Sequence, residues 1–299
     1  MIKVSGLVKK FDNFTALDGA SINVKKGSVY GLVGPNGAGK TTIIKHITGI
    51  YRSDGGSVEI NGEEIYENEK IKGKMIFISD EIYFPASYTI RDGAKLYKEI
   101  YPEWDEVKFE KLKSVFNIDI SRKISRLSKG MQKQVAFWIG LCTNPDVMIL
   151  DEPVDGLDPV MRRNVWNLIL SDVDMRQMTV LISSHNLREL EDVCDHVGIM
   201  HKGKVVIEKS LDDVKGNIHK LQVSFKGGFP EELKNKINIM NDEKFGSVHM
   251  LIVRGELSEI KNAVESFSPV ISDVVPLSLE EVFVYELGGL GYELGKIII

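Results

Sequence analysis

A glycine-rich turn that carries a single lysine is the part of this sequence whose residue types most directly predict chemistry. Residues 34–41 read GPNGAGKT and follow the apolar run Val29–Val33. The pattern is GxxxxGK followed by Ser or Thr, in which backbone N–H groups point at phosphate oxygens, the lysine reaches the terminal phosphates and the hydroxyl binds Mg²⁺. The sequence therefore predicts a site for a polyphosphate with its magnesium ion.

Each residue of this turn, the P-loop, is expected to contact the phosphates or the metal. Thr41 is the predicted Mg²⁺ ligand, and Lys40 is the predicted contact to the terminal phosphates. Thr42 is included among the binding residues, although its main role is expected in the helix that follows over residues 41–50. The predicted binding residues of the turn are Gly34, Pro35, Asn36, Gly37, Ala38, Gly39, Lys40, Thr41 and Thr42.

Two adjacent acids follow a second apolar run. Val147–Leu150 leads directly into Asp151 and Glu152. Successive residues of a strand point to opposite sides, so the two carboxylates can take different tasks. We expect Asp151 to serve the Mg²⁺ ion, directly or through its hydration shell, and Glu152 to act as the general base or to position the attacking water.

A third motif, LSKGM at Leu127–Met131, begins a predicted helix that continues to Thr143. A serine hydroxyl and a glycine at a helix N-terminus form an anion-binding site, because free backbone N–H groups and the helix dipole both favour negative charge there. One chain is thus predicted to contain two phosphate-binding devices.

The elements that must position these motifs read as a wrapped, mostly parallel sheet, because several of the strand-like runs are continuously apolar. These runs are Ile2–Val8, Ser21–Val24, Val29–Val33, Val58–Ile60, Met75–Ser79, Val147–Leu150, Thr179–Ser183 and Val197–Met200. A helical insertion is predicted over residues 85–136, with Thr89 and Asp105 as helix N-caps. Asn61-Gly62 and Lys202-Gly203 are predicted hairpin turns.

The remainder of the chain is predicted to form a small α/β domain at residues 211–299, after a first domain at 1–210, with residues 215–217 as the linker candidate. Its predicted strands are His219–Phe225, Ser247–Val253 and Val270–Val275, and its predicted helices are Pro230–Ile237, Leu257–Phe267 and Leu279–Tyr285.

Composition limits the possible functions. The chain has 299 residues, of which 43% are hydrophobic and 27% charged, and its net charge of −5 disfavours nucleic acid as a partner. Cys142 and Cys194 stand alone, without a CxxC pair, so neither a disulfide scaffold nor a zinc site is expected and the predicted compartment is a reducing cytosol. No apolar run approaches the ~18 residues that cross a bilayer, and no signal peptide is recognisable. A membrane role is therefore expected to depend on another chain.

These motifs together resemble the ATP-binding cassette (ABC) ATPases, in the family's order, over residues 1 to 210. LSKGM stands where the family has its LSGGQ signature, ILDEP (149–153) matches the Walker B motif and Asp155–Asp158 matches the D-loop. Ser183–His185 matches the segment with the switch histidine, and Phe11 falls where the family has an aromatic that stacks on adenine. The resemblance implies an α/β fold: a P-loop NTPase (RecA-like) core sheet with an antiparallel β subdomain, a helical subdomain insertion and here a small C-terminal α/β domain.

The resemblance also implies roles for individual residues and an assembly. Ser128 and Gly130 of one subunit would contact the γ-phosphate of the ATP held by the P-loop of the other, in a head-to-tail homo- or heterodimer with two ATP molecules. His185 would sense that phosphate, and Asp158 would couple the two sites. Phe11 would stack on the adenine, with Phe14 close enough in sequence to do so instead.

Two departures from the family pattern affect these expectations. Lys129 and Met131 replace a glycine and the glutamine of the signature. In the segment Phe77–Glu81, Asp80 occupies the place of a glutamine that touches Mg²⁺ or water and relays to the transporter partner. A carboxylate can accept a hydrogen bond from metal-bound water but cannot donate one. Our hypothesis is that Asp80 faces the Mg²⁺ shell and still relays the nucleotide state; the alternative is a solvated acid.

The function implied by the resemblance is an ATP-hydrolysing subunit of an ABC transporter. It would drive export through separate transmembrane permease subunits, which would hold it at the inner face of the cell membrane. The segment at 275–293, VPLSLEEVFVYELGGLGYE, resembles the tail of ATPases from exporter-type systems. The alternatives are a soluble ABC-type ATPase that acts on DNA or ribosomes, and a regulatory module in which residues 211–299 bind a ligand or clamp a dimer.

Overall fold

The computed structural model describes residues 1–211, 213 and 218–288. The chain divides into two compact units, Met1–Glu208 and Lys209–Ile299. The linker candidate at 215–217 lies outside the described residues.

A six-stranded sheet forms the centre of the first unit, in the order β10-β9-β3-β8-β7-β6. Strand β3 pairs in parallel with β8 and β9, and β7 pairs in parallel with β6 and β8. Every residue of β3 and β7 is buried, as expected for strands covered on both faces. The predicted parallel core is confirmed. Its strands are β3 Val29–Val33, β6 Met75–Ile78, β7 Val147–Asp151, β8 Thr179–Ser184, β9 His196–His201 and β10 Lys204–Ser210.

A separate antiparallel sheet of four strands, ordered β2-β1-β4-β5, completes the β structure of this unit. Its strands are β1 Ile2–Phe11, β2 Phe14–Val24, β4 Gly55–Ile60 and β5 Glu63–Glu64. The predicted turn Asn61-Gly62 joins β4 to β5, and its φ angles of 55° and 80° are those of a tight hairpin turn. Lys202-Gly203, with φ angles of 46° and 77°, joins β9 to β10 in the same way.

The helices of the first unit are α1 Lys40–Ile47, α2 Glu69–Lys72, α3 Ile90–Ile100, α4 Glu106–Phe116, α5 Lys129–Cys142 and α6 Pro159–Arg176. Both predicted N-caps of the helical segment are confirmed. The Thr89 hydroxyl accepts a hydrogen bond from the Asp92 N–H, and the Asp92 carboxylate accepts one from the Thr89 N–H. The Asp105 carboxylate accepts one from the Lys108 N–H.

Aromatic stacking holds α5 in place against α4. The Trp138 ring lies 4.8 Å from the Phe109 ring and 5.7 Å from the Phe116 ring, nearly parallel to both. The indole N–H donates to the Phe109 carbonyl oxygen at 3.0 Å, so the buried polar atom is satisfied. Because α5 carries the LSKGM motif at its N-terminus, this packing positions that motif.

The second unit contains a four-stranded antiparallel sheet in the order β12-β13-β11-β14. Its elements are β11 Ile218–Ser224, β12 Asn238–Phe245, β13 Val248–Arg254, α7 Leu257–Glu265, β14 Ile271–Val275 and α8 Leu279–Gly288. The predicted helix Pro230–Ile237 is wrong as a full helix, since only a 3₁₀ turn forms, at Glu231–Asn235. Strand β12 was not predicted, because this edge strand is largely exposed and lacks an alternating apolar pattern.

No helix within the described ranges is both long enough and apolar enough to cross a membrane.

Candidate functional site

Three strand ends meet at one edge of the parallel sheet. In the β3–β8 ladder Val33 lies beside Ser184, and in the β7–β8 ladder Asp151 lies beside Ser183. Parallel strands end at the same edge, and the segments that leave them there are where α/β folds bind ligands. The P-loop follows β3, Glu152 follows β7 and His185 follows β8, so motifs far apart in sequence become neighbours.

The P-loop backbone has the conformation that its glycines permit. Gly37 and Gly39 have φ angles of 81° and 108°, a region that other residues rarely adopt. Gly34 is required for a different reason, since a Cβ there would lie 2.3 Å from the Met200 carbonyl oxygen. Helix α1 begins at Lys40 and leaves its first N–H groups directed at the loop, as anion binding requires.

A cavity lies over this loop and gathers most of the residues predicted to bind phosphate and metal. Its walls are formed by Phe14, Ala16, Pro35, Asn36, Gly37, Ala38, Gly39, Lys40, Thr41, Thr42, Asp80, Asp151 and Glu152. The hydroxyl and carboxylate oxygens of Thr41, Asp151 and Asp80 are ligands of the kind that Mg²⁺ prefers. The residues present therefore fit a magnesium-bound polyphosphate.

Lys40 is buried and fully engaged within the protein. Its ammonium donates to the Gly34 carbonyl oxygen at 2.7 Å and to that of Pro35 at 3.4 Å. It also lies 3.5 Å from the Glu152 carboxylate, with only 6% of the lysine side chain exposed. The structure thus joins the predicted phosphate-binding lysine to the predicted general base.

Glu152 adopts a backbone conformation that is unusual for a residue with a side chain. Its φ angle is 46°, which costs on the order of 1–3 kcal/mol outside glycine. Its N–H donates to the carbonyl oxygen and to the hydroxyl of Ser183, both at 3.2 Å. The carboxylate accepts from the His185 N–H at 3.3 Å and lies 2.9 Å from Nδ1 of the same residue. This geometry aims Glu152 at Lys40 on one side and at His185 on the other.

Asp151 lines the cavity and is nonetheless buried, with 4% of its surface exposed. The Ser183 hydroxyl donates a short hydrogen bond to its carboxylate. A second group of possible metal ligands is formed by Glu152, Asp155 and His185, whose nearest ligand atoms all lie within 4.8 Å of one another. Because it includes an imidazole, that group suits a transition metal better than Mg²⁺.

Asp80 lines the cavity, but its direct partner is a residue that sequence reasoning missed. Lys133 of α5 lies 3.3 Å from the Asp80 carboxylate and donates to the Glu152 carbonyl oxygen at 2.8 Å. The Lys133 side chain is 5% exposed. No sequence signal distinguishes this lysine from the exposed Lys129 one turn earlier, because its burial depends on the packing of α5 beside β6 and on the contacts with Asp80 and Glu152.

The two candidate adenine-stacking aromatics occupy different places. Phe11 and Phe14 face each other across the β1–β2 hairpin. Phe14 lines the P-loop cavity, whereas the Phe11 ring packs edge-on against Tyr51 with centroids 5.7 Å apart. The structure therefore brings Phe14, the alternative in the sequence, to the cavity.

The signature residues lie away from the P-loop cavity of their own chain. The Ser128 hydroxyl caps α5 by accepting from the Met131 N–H at 3.3 Å. Gly130 passes so close to the D-loop that a Cβ would lie 2.3 Å from the Gly156 carbonyl oxygen. Asp158 caps α6, accepting from the N–H groups of residues 160 and 161 at 3.1 and 3.0 Å. These residues have clear local roles, and their predicted contacts with a second subunit remain predictions.

Comparison with known proteins adds independent information. The sequence profile of the family described as ABC transporter matches residues 17–155. The ABC transporter ATP-binding protein YtrB of Bacillus subtilis is 29% identical over 97% of this chain and 99% of its own length. The bacitracin transport ATP-binding protein BcrA of Bacillus licheniformis is 34% identical over 72% of this chain and 71% of its own length. A solved structure of an ATP-binding subunit of an ABC transporter superposes with a TM-score of 0.67 at 27% identity, covering 72% of this chain and 92% of that one.

The position of Phe14 leads to a prediction about nucleotide affinity. Phe14→Ala should weaken ATP binding by ~1–3 kcal/mol, roughly 5- to 150-fold, because the stacking face is lost. Phe11→Ala is the matched control and should leave the dissociation constant within about twofold, since its ring contacts Tyr51. Both values are measured by fluorescence titration. A loss of affinity in Phe11→Ala alone would return the stacking role to Phe11.

Proposed function

Because this chain belongs to the ABC transporter family and is an ATP-hydrolysing subunit, we propose that it drives substrate export through separate membrane-spanning subunits. The observation that carries the ATPase mechanism is that Lys40 and His185 both lie within contact distance of the Glu152 carboxylate, at one edge of the sheet. Each follows a different strand end, and we infer that the terminal phosphate held by the P-loop lies beside them.

Hydrolysis is proposed to begin with an exchange of partners at Lys40. The phosphate oxygens of ATP take over the lysine ammonium, and the Glu152 carboxylate is released from its ion pair. The freed carboxylate then accepts a proton from a water molecule whose oxygen bonds to the γ-phosphorus, while the bond from that phosphorus to the β–γ bridging oxygen breaks and ADP leaves. His185, already in contact with Glu152, is placed to bridge this carboxylate and the γ-phosphate.

Mg²⁺, when bound, neutralises charge on the phosphate oxygens, and Thr41 and Asp151 are the residues that would hold it, with Asp80 beside them. The short hydrogen bond from Ser183 fixes the orientation of the Asp151 carboxylate. Such support limits the reorganisation needed when charge develops on the phosphate.

The proposed active assembly is a head-to-tail pair of ATPase subunits, identical or homologous. It is supported by the separation of the two phosphate-binding devices, since Ser128 and Gly130 do not line the cavity of their own P-loop. Ser128 caps the N-terminus of α5. The other N–H groups of the first helical turn would be available to bind the phosphate of an ATP molecule held by a second chain.

Export, rather than another use of ATP hydrolysis, is supported by similarity to the bacitracin transport protein BcrA and by the tail at 275–293, of which residues 289–293 lie outside the described part. A position at the inner face of a membrane would follow from binding to the transmembrane subunits. The net charge of −5 gives no support to the alternative of DNA or ribosome binding. A purely regulatory role for residues 211–299 remains the third alternative.

Two substitutions separate nucleotide binding from chemistry. Lys40→Ala should weaken ATP binding by about 10- to 150-fold, because a charged hydrogen bond to phosphate is worth ~1.5–3 kcal/mol. Glu152→Gln should leave binding intact and lower turnover roughly 10²- to 10⁴-fold, since an amide cannot take the proton. Equilibrium ATP titration measures the binding of ATP, and steady-state phosphate release measures turnover. Light scattering in the presence of ATP should show the Glu152→Gln variant as a dimer. Full hydrolysis by Glu152→Gln would remove this carboxylate from the reaction.

The membrane partner is tested by affinity purification of the full chain from detergent-solubilised membranes of its native cells. We expect an integral membrane protein with several membrane-spanning helices to co-purify in stoichiometric amount. Recovery of the chain with ribosomes or DNA and without such a protein would favour the soluble alternative.

A further inference from the structure

Lys133 is a buried cation that the proposed hydrolysis steps do not use. It lies one turn into α5, after the LSKGM motif, and 5% of its side chain is exposed. A buried ammonium is costly unless charged or hydrogen-bonding groups compensate for its lost hydration. The groups that contact this ammonium therefore indicate its role.

Two groups that face the active site compensate the Lys133 ammonium for its lost hydration. Its ammonium donates to the main-chain carbonyl oxygen of Glu152 at 2.8 Å and lies 3.3 Å from the carboxylate of Asp80. The carbonyl oxygen offers no full charge, so the neutralising charge comes from Asp80. A neutral glutamine at position 80 would remove this ion pair from the buried lysine, which gives a physical reason for an acid there.

The contact with the Glu152 carbonyl completes the support of that residue's main chain. The Glu152 N–H is already held by Ser183, at 3.2 Å from both its carbonyl oxygen and its hydroxyl. Lys133 holds the opposite end of the same residue. A left-handed φ of 46° persists only where surrounding groups over-determine it, and this conformation decides where the carboxylate points.

We propose that Lys133 is a positioning residue that fixes the Glu152 main chain in its reactive orientation, and that Asp80 acts on hydrolysis through Lys133. This inference rests on the proposed role of Glu152 as general base. A displacement of the Asp80 segment withdraws the counter-ion from Lys133 and loosens Glu152 without touching the P-loop. The lysine thus connects the segment around Asp80, the signature helix α5 and the catalytic carboxylate.

The first test is a separation of turnover from affinity. Lys133→Met keeps the aliphatic stem and removes the charge, so it should lower kcat by roughly 10- to 100-fold, as misplacement of a catalytic group by about 1 Å does. The ATP dissociation constant should stay within about threefold, because Lys40 and the loop are unchanged. Lys133→Arg, which can still donate to the carbonyl and pair with the acid, should recover part of the rate.

A double-substitution cycle tests whether Asp80 acts through the lysine. Asp80→Asn alone should lower kcat, and in the Lys133→Met background it should cause no further loss. An independent further loss, accompanied by a higher Mg²⁺ requirement, would place Asp80 at the metal and overturn this half of the proposal. Asp80 is exposed, so Asp80→Asn is informative even if Lys133→Met folds poorly.

The matched control is Lys108→Met, which breaks a largely buried ion pair with Asp172 elsewhere in the first unit. It should lower thermal stability and leave kcat unchanged, whereas an equal fall in kcat would attribute the Lys133 effect to general destabilisation. If Lys133→Met hydrolyses ATP normally while Glu152→Gln does not, the positioning role is wrong and the proposed function stands. If Glu152→Gln hydrolyses ATP normally, the proposed base itself is wrong.

Discussion

The parallel alignment of β3, β8 and β7 is the constraint on which the rest of the site depends. Because these strands run in the same direction and in register, their carboxyl ends deliver the P-loop, His185 and the Asp151-Glu152 pair to a single edge. Ser183, in the central strand of the three, ties the arrangement together. Its hydroxyl donates to Asp151, and its hydroxyl and carbonyl oxygens both accept from the Glu152 N–H.

Charge balance within this edge explains much of its geometry. Lys40 and Lys133 are both buried, and both are compensated at Glu152, the first by its carboxylate and the second by its carbonyl oxygen. Asp80 supplies the counter-charge for the second lysine. A nucleotide that takes Lys40 away from the carboxylate would leave the main-chain support of Glu152 in place, so the base can change partners without losing its orientation.

Sequence reasoning succeeds where local physics decides the outcome. Val29–Val33 is predicted to the residue, because a short apolar run before a glycine-rich turn has few alternatives. Thr89 and Asp105 are found as caps because their side chains satisfy nearby N–H groups. The family and the fold follow from motif order, which random sequence does not reproduce.

Sequence reasoning fails where contacts between segments far apart in the chain decide the structure. Helix α6 went unrecognised, since over its 18 residues only Val165, Trp166 and Ile169 are buried and the apolar stripe is weak. Strand β12 is an exposed edge strand and likewise lacks a clear apolar pattern. The choice between Phe11 and Phe14 depends on the hairpin, and the role of Lys133 depends on the packing of α5 beside β6. Neither can be read from the spacing of residues along the chain.

A structure of the Glu152→Gln variant with ATP and Mg²⁺ is the most direct test of this account. In that structure we expect the Lys40 ammonium to bind the terminal phosphates and residues 152 and 185 to lie beside the γ-phosphate. We also expect Ser128 and Gly130 of a second copy to contact that phosphate. A triphosphate bound away from these strand ends, or signature residues remote from it in every assembly, would contradict the central claim.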